Sequence, residues 1–480
     1  MTPRVRFALV VASVACLGAC VGPRQYRFTR NQPGCFPSAT GGASVDPMAG
    51  DPAERRNWPS VDCRNALYKV GFIEFDDQGK PLDPSQQDKV LRLIANEKAR
   101  APDHKIVTVL YVHGWKNNAA QAAPGANMKD VERFESALTE LGYRAANHAT
   151  GEPGIPVVGV YIGWRGKSLM GPSWFTFVSL WSRRNAANRV GSPALAETVT
   201  RVVTATKATN NGSPGATDTS RVVLVGHSFG ARVLEHAIDA GQLTLYDEPQ
   251  AGVPVTPAVD LVLYVNSAND SRISMKRISE LRTRPLVLRH PDFDAAACAA
   301  PQAANEPTCR AYPYIVTIMS RGDQATKLLL PIANTLNLDN RASNIVVPPG
   351  SFADKSPSPG AFRRHSAGHM RFLQSHDVQE ISCPARGQPP CRLASCEFAF
   401  KTWADDLCYA VQRRAPADGK PVFNTTASWV VSVDTTVMKD HGDIWNLSMI
   451  SMLGQLMAPR GFFERGTKPL ELQLAESGNR

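Results

Sequence analysis

Residues 221–239 constrain the fold of this chain more than any other segment. The segment begins with an apolar, β-branched run of strand length, Arg221-Val222-Val223-Leu224-Val225. The glycine-bounded turn Gly226-His227-Ser228-Phe229-Gly230 follows, and a helical pattern then runs from Ala231 to about Asp239. Such a strand–turn–helix lifts the Ser228 hydroxyl clear of a sheet and places it at a helix N-terminus, where the helix dipole favours developing negative charge. The alternative is a turn whose glycines serve packing alone.

Further apolar runs of strand length alternate with helical patterns along the chain. We predict strands at 69–75, 106–112, 157–162, 261–265, 314–318 and 429–433, and helices at 85–99 and 127–142. Strands that alternate with helical connections favour an α/β fold, in which helices flank a mostly parallel central sheet with right-handed crossovers. Apolar runs without alternation fit strands that are covered on both faces.

The gap between the last two predicted strands is too long for a structureless loop. An ordered insertion is therefore expected at about 340–425, where it is a candidate cap over the site at the end of the sheet. This insertion is rich in cysteine. It contains Cys383, Cys391, Cys396 and Cys408.

The N-terminus has the pattern of an export signal. Arg4 and Arg6 precede an apolar stretch from Phe7 to Leu17, which is too short for a permanent membrane span. The stretch ends in Leu17-Gly18-Ala19-Cys20, which resembles the bacterial lipoprotein box and predicts that Cys20 is lipidated. The alternative is a plain signal peptide that ends near a cysteine.

These patterns divide the chain into segments and predict its location. We expect a signal peptide at 1–19, a lipid-anchored tether at 20–65, the main domain at 66–450 and a C-terminal tail at 451–480. Val21 stands where enterobacterial lipoproteins retained in the inner membrane carry Asp. The outer membrane, facing the periplasm, is therefore the expected location of the anchored protein.

The cysteines agree with an oxidising compartment. Apart from Cys16 and Cys20 they form an even set in three groups, which favours disulfides. We expect Cys35–Cys63, Cys298–Cys309 and two bridges of open connectivity within the insertion. The alternative for the insertion cysteines is a zinc site, although their spacing lacks a Cys-x-x-Cys pair.

Charge excludes one class of function. The formal net charge of +10 is spread along the chain, with only short clusters such as Arg183-Arg184 and Arg363-Arg364. A nucleic-acid-binding chain more often carries a basic run with interleaved aromatic residues. No nucleic-acid partner is expected.

Residues 66–450 are similar to the α/β-hydrolase superfamily of serine hydrolases, with Gly226-His227-Ser228-Phe229-Gly230 as the nucleophile elbow. A second point of resemblance is Tyr111-Val112-His113-Gly114-Trp115 at the end of an apolar strand. The resemblance implies that Ser228 is the nucleophile and that the backbone amides of Trp115 and Phe229 form the oxyanion hole. His113 is expected to stabilise its turn rather than to act as a base.

The superfamily order of serine, acid and histidine selects the remaining candidates. Asp323 follows the strand at 314–318 and is the implied acid, with a helix-capping role as the alternative. Asp270, after the preceding strand, is the alternative acid. His441 follows the last strand and is the implied base. The three histidines of the insertion are expected at the polar surface, with a metal site as the alternative; they are His365, His369 and His376.

The function implied by the resemblance is hydrolysis of carboxylic esters, including lipid esters, through an acyl-enzyme, with no metal or organic cofactor. Two alternatives stay open: a non-catalytic envelope lipoprotein that serves as a binding scaffold, and an amidase or peptidase. The aromatic stretch from Leu169 to Trp181 is expected in the core, with an acyl-binding or membrane-facing lip as its alternative. The oligomeric state is left open.

Overall fold

The computed structural model of the protein describes residues 24–28, 35, 58–101, 104–115, 117–122, 126–145, 154–165, 183–191, 193–208, 220–239, 258–283, 313–336, 358–383, 396–401, 407–414 and 427–457. Three predictions concern residues outside these ranges: the lipidation of Cys20, the disulfide Cys298–Cys309 and the core position of residues 169–181. Among the described helices, none is both long and apolar enough to cross a membrane.

The strands form one large mixed sheet and one small ribbon. Their bounds are β1 Arg27–Phe28, β2 Trp58–Pro59, β3 Val61–Asp62, β4 Tyr68–Phe75, β5 Val107–Val112, β6 Val157–Trp164, β7 Arg221–His227, β8 Leu261–Val265, β9 Ile315–Ser320, β10 His376–Ile381, β11 Cys396–Lys401, β12 Cys408–Arg413 and β13 Ser428–Val433. The large sheet has the order β11-β12-β10-β13-β9-β8-β7-β5-β6-β4-β3. From β10 to β4 the neighbours are parallel, and β3, β11 and β12 join antiparallel at the two ends.

Helices cover both faces of the sheet. They are α1 Pro84–Arg100, α2 Asp130–Ala145, α3 183–190, α4 Pro193–Lys207, α5 Phe229–Asp239, α6 Ser271–Thr283, α7 Leu330–Leu336, α8 Pro359–Arg364 and α9 Leu447–Met457, with a π-helical turn at Ala325–Leu329 and a 3₁₀ turn at Ala367–His369. Leu110 of β5 packs in the cluster that α1, α4 and α5 cover. Its neighbour Tyr111 packs in the opposite cluster, with α2 and α9. The central strand is therefore buried on both faces, as its unbroken apolar sequence predicts.

The register aligns the carboxyl ends of the central strands. Val112 of β5 pairs with Gly226 of β7, so the turn after β5 emerges beside the turn after β7. Val265 of β8 pairs with His227, and Ser320 of β9 pairs with Val433 of β13. The connection after β5 leads to a helix on one face of the sheet, and the connection after β7 leads to a helix on the other face. This point of reversal is where open α/β sheets bind ligands, beyond the carboxyl ends of the strands.

The predicted α/β architecture with a mostly parallel sheet is confirmed, and the structure revises some of the predicted bounds. β8 matches its predicted range, whereas β6 continues beyond 162 to Trp164. The helix after the elbow begins at Phe229 rather than at 231. The α9 helix, Leu447–Met457, crosses the boundary predicted between the main domain and the tail.

The described part of the 340–425 insertion extends the sheet. β10 pairs in parallel with β13, and β12 and β11 follow it at the sheet edge. A disulfide joins Cys383 to Cys408 across this extension, and Cys396 is disulfide-bonded as well. These bonds rule out the alternative zinc site at the same cysteines. A cap role for the insertion stays a prediction.

The segment predicted as a tether contributes to the folded domain. The predicted disulfide Cys35–Cys63 is present, and Val61–Asp62 pairs with β4 of the main sheet. Arg27 is fully buried; its backbone N–H donates to Glu74 at 2.7 Å, and its Nε donates to the Ala119 carbonyl at 2.7 Å. The ordered contacts of the chain therefore begin well before residue 66.

Candidate active site

The turn after β7 holds Ser228 in a conformation that few residues other than glycine adopt. Its φ is 55°, in the left-handed region. The Ser228 N–H donates to the Val265 carbonyl at 3.0 Å, and the Ser228 carbonyl accepts from Ala268 N at 3.1 Å. Both bonds tie the turn to the neighbouring strand and the loop after it. A strained residue that its surroundings hold in place is typical of functional sites.

Gly230 allows the elbow to approach the turn after β5. A Cβ built on Gly230 would lie 2.0 Å from the Val112 carbonyl oxygen and 2.6 Å from that of His113. Both obstacles are backbone atoms, which cannot rotate away. A side chain here would push the elbow helix off the neighbouring strand.

We therefore expect Gly230→Ala to destabilise the fold by about 1–3 kcal/mol and to lower any activity that depends on Ser228. Chemical denaturation and labelling of Ser228 by a serine-reactive probe would measure the two effects. The matched control is Gly360→Ala in α8, because the added Cβ would meet only the flexible Ser358 hydroxyl, at 3.8 Å. Equal stability of the two variants would contradict the close approach.

His441 lies between Ser228 and Asp323. Its Nε2 is 2.8 Å from Ser228 Oγ, and its Nδ1 is 2.9 Å from Asp323 Oδ1. Ser228 is 3% exposed and Asp323 is fully buried, whereas the His441 side chain is 25% exposed. The structure thus brings the three predicted residues together, with the imidazole between the hydroxyl and the carboxylate.

Asp323 remains ionised in spite of its burial. Desolvation alone would raise the pKa of its carboxyl, but the interactions with His441 and Thr326 outweigh it and lower the pKa below 3.8. Thr326 donates its backbone N–H to Asp323 Oδ1 at 3.0 Å, and its hydroxyl donates to Oδ2. Asp323 therefore caps the helical turn and contacts His441 at the same time.

The alternative acid Asp270 lies in a different environment. Its carboxylate forms an ion pair with Arg272, with a distance of 2.6 Å between Nε and Oδ1. The negative charge of Asp270 also acts on the buried guanidinium groups of Arg184 and Arg232. The carboxylate in contact with His441 is Asp323, not Asp270.

The loop that carries His441 is held by residues that the sequence did not single out. Asn266, directly after β8, has a φ of 46°, and its Nδ2 donates to the His441 carbonyl at 3.0 Å. Its Oδ1 accepts from Ser320 N at 3.0 Å. His227 Nε2 donates to the same His441 carbonyl at 2.8 Å. A strand end followed by Asn, a residue that tolerates left-handed backbone, is the sequence signal that could have indicated Asn266.

The predicted oxyanion residues border Ser228. A Cβ on Gly114 would lie 2.8 Å from Ser228 Cβ, so the backbone that leads into Trp115 passes directly against the elbow. Phe229 is the first residue of α5, where the helix provides no internal acceptor for the backbone N–H. The Trp115 and Phe229 rings lie 6.5 Å apart. Donation from the two amides to an oxyanion stays a prediction.

His113 has the geometry of a turn-stabilising residue, as expected. Its Nε2 accepts from Trp164 N at 3.0 Å, and its Nδ1 donates to the Gly114 carbonyl at 2.8 Å. Burial lowers the pKa of His113 to about 4. Its imidazole is therefore neutral at physiological pH, with both nitrogens occupied.

The insertion histidines are less exposed than the sequence suggested, since His365 and His369 are half-buried and His376 is buried. His376 is fully buried and stacks on Trp429, with 3.9 Å between the ring centroids. His369 Nε2 lies 2.9 Å from Thr326 Oγ1 and is thus linked to Asp323. Within the described ranges, no group of three or more His, Cys, Asp or Glu side chains is arranged to hold a metal ion.

Comparisons with known proteins yield no family. No protein-family model and no curated protein sequence matches the chain. Among solved structures, an uncharacterized protein from Pseudomonas aeruginosa matches with 13% identity and a TM-score of 0.22, covering 53% of this chain and 42% of the other. Phospholipase PlaB from Legionella pneumophila, in complex with thio-NAD, matches with 10% identity and a TM-score of 0.21, covering 77% of this chain and 62% of the other. Both TM-scores are too low to support an argument.

Proposed function

We propose that the chain is a serine hydrolase of the α/β-hydrolase type that cleaves carboxylic esters through an acyl-enzyme. The observation that carries the proposal is the line of contacts from Ser228 Oγ to His441 Nε2 at 2.8 Å and from His441 Nδ1 to Asp323 Oδ1 at 2.9 Å. The strained backbone of Ser228, with its φ of 55°, supports it, because this turn places a hydroxyl at the start of a helix.

The chemistry follows from these contacts. Ser228 Oγ attacks the ester carbonyl while His441 Nε2 takes the hydroxyl proton, and the buried Asp323 carboxylate stabilises the imidazolium. The amides of Trp115 and Phe229 would donate to the oxyanion of the tetrahedral intermediate. His441 then returns the proton to the departing alcohol oxygen. In the second half-reaction His441 deprotonates a water molecule, which attacks the acyl-enzyme; His441 then returns this proton to Ser228 Oγ as the acyl–serine bond breaks and the acid leaves.

A panel of substrates tests this function and separates it from its alternatives. Esters of increasing acyl length and the matching amides would be assayed with the wild-type protein and with Ser228→Ala. We expect hydrolysis of esters in preference to amides by the wild type only. Preferential hydrolysis of amides would indicate an amidase or peptidase. Absence of hydrolysis, together with absence of covalent labelling, would favour a binding scaffold.

We further propose that Cys20 carries a lipid anchor that holds the protein at the outer membrane, facing the periplasm. The apolar stretch before Cys20 and the disulfides Cys35–Cys63 and Cys383–Cys408 support export to an oxidising compartment. Because a protein anchored at a membrane lies next to lipids, we include lipid esters among the proposed substrates. Metabolic labelling with a tagged fatty acid is expected to mark the wild type and not Cys20→Ala; equal labelling of both would refute the anchor.

A further inference from the structure

A second histidine is linked to Asp323 on the side away from His441. Asp323 Oδ2 accepts from the Thr326 hydroxyl, and Thr326 Oγ1 lies 2.9 Å from His369 Nε2. A hydroxyl has one proton to donate, and an ionised carboxylate only accepts. Since the Thr326 proton goes to Asp323, His369 donates its Nε2 proton to Thr326. The hydrogen bonds thus run in one direction, from His369 through Thr326 to the carboxylate.

We propose that Thr326 and His369 are positioning residues for the acid of the triad, so that the turn Ala367–His369 of the insertion completes the active site. The inference rests on the proposed function, because a positioned acid matters only when His441 acts as a base. It assigns to His369 a role that its sequence context does not suggest.

The Asp323 environment explains why such donors are needed. The carboxylate is fully buried and Thr326 is 2% exposed, so no bulk water solvates the charge on this side. Thr326 supplies a donor to each carboxylate oxygen and thereby fixes the orientation of the carboxyl plane toward His441. Loss of the hydroxyl leaves Oδ2 without this donor, at the desolvation cost of a buried charged group.

Burial keeps the His369 imidazole uncharged. It lowers the pKa of His369 to about 4, and the positive charge of Lys327 acts in the same direction, whereas the negative charge of Asp323 raises the pKa. The tautomer follows from the hydrogen bonds, because the Thr326 hydroxyl donates to Asp323 and leaves only an acceptor for His369 Nε2. A neutral imidazole with its proton on Nε2 therefore gives the hydrogen bonds this direction at neutral pH.

The backbone around His369 is fixed against the sheet. A Cβ on Gly368 would lie 2.3 Å from Met319 Cε, so the turn that carries His369 packs directly on β9. On one side of this turn the His365 carbonyl accepts from Ser271 N at 2.9 Å. On the other side Ser375 N donates to the Val430 carbonyl at 2.9 Å. The imidazole therefore meets Thr326 from an anchored position.

Four variants test the proposal through kcat, KM and the pH profile of ester hydrolysis, with thermal unfolding measured in parallel. Thr326→Val is expected to lower kcat about 10- to 100-fold, because a donor to a charged group is lost. His369→Ala is expected to lower kcat about 3- to 10-fold, with KM within about two-fold. His369→Gln keeps an N–H donor and is expected to recover most of the loss. His365→Ala, the control from the same segment, is expected to retain the wild-type kcat.

A second readout does not depend on turnover. The proton on His441 Nδ1, facing the Asp323 carboxylate, is expected to give a downfield NMR resonance that His441→Gln removes. Thr326→Val and His369→Ala are expected to shift or broaden this resonance, while His365→Ala leaves it unchanged. An unchanged resonance in the first two variants would overturn the proposal even if the protein hydrolyses esters. A shifted resonance in a protein that hydrolyses nothing would support the positioning and refute only the proposed function.

Discussion

Ser228→Ala is expected to lower kcat for ester hydrolysis by on the order of 10⁶-fold, the loss found when the nucleophile of such a triad is removed. The reason lies in the geometry, because the Ser228 hydroxyl is the nucleophilic group in contact with His441 Nε2, at 2.8 Å. Without it, His441 has only water to activate. Initial rates on the best ester of the panel would measure the loss.

The fold itself is expected to tolerate this change. The backbone bonds of residue 228 to Val265 and Ala268 do not involve the side chain. Thermal unfolding would verify that the variant remains folded, so that lost activity is not lost protein. The positive φ of residue 228 strains alanine as it strains serine, since both carry a Cβ. A folded variant that keeps its activity would show that another group performs the reaction.

Asp323→Asn is expected to lower kcat by about 10⁴-fold, whereas Asp270→Asn is expected to leave kcat nearly unchanged. An amide at position 323 cannot stabilise the imidazolium, and it favours the wrong tautomer of His441. The interactions with His441 and Thr326 hold the pKa of Asp323 below its ordinary value, so its carboxylate is ionised at neutral pH. The deficit of Asp323→Asn is therefore expected in assays at neutral pH, where the wild-type carboxylate is charged.

Asp270→Asn is a matched control that is expected to lower stability rather than kcat. The substitution removes the carboxylate that pairs with Arg272, together with a negative charge that acts on Arg184 and Arg232. Breaking such a buried pair is expected to lower the free energy of unfolding by about 3–5 kcal/mol. Kinetics and denaturation of both variants separate the two roles. A large loss of kcat for Asp270→Asn in folded protein, with a small one for Asp323→Asn, would assign the acid to Asp270.

The central part of the sheet could be predicted from sequence because its strands are covered on both faces. Unbroken apolar runs such as Leu261–Val265 fit a strand that helices cover on both faces. The elbow was equally clear, since a side chain on Gly226 would meet the backbone of Ala231 at the start of the helix, and one on Gly230 would meet the backbone of Val112 in the neighbouring strand. The order of serine, acid and histidine that the resemblance implies then selected Asp323 and His441, each of which follows a later strand.

The edge of the sheet could not be predicted in the same way. β10 is buried over its first three residues and exposed at Gln379 and Glu380, and β11 has a register shift between Cys396 and Phe398. Edge strands of this kind lack the continuous apolar pattern of central ones. The roles of Thr326, His369 and Asn266 depend on contacts between residues far apart in sequence, which no local pattern encodes.

The most direct test of the central claim is mass spectrometry of the protein after reaction with a fluorophosphonate probe. The account predicts a single adduct on the peptide that contains Ser228, formed rapidly by the wild type and absent from Ser228→Ala. It also predicts much slower labelling of His441→Gln, which retains the serine but lacks the base. No adduct on the folded wild-type protein, or an adduct that persists in Ser228→Ala, would contradict it.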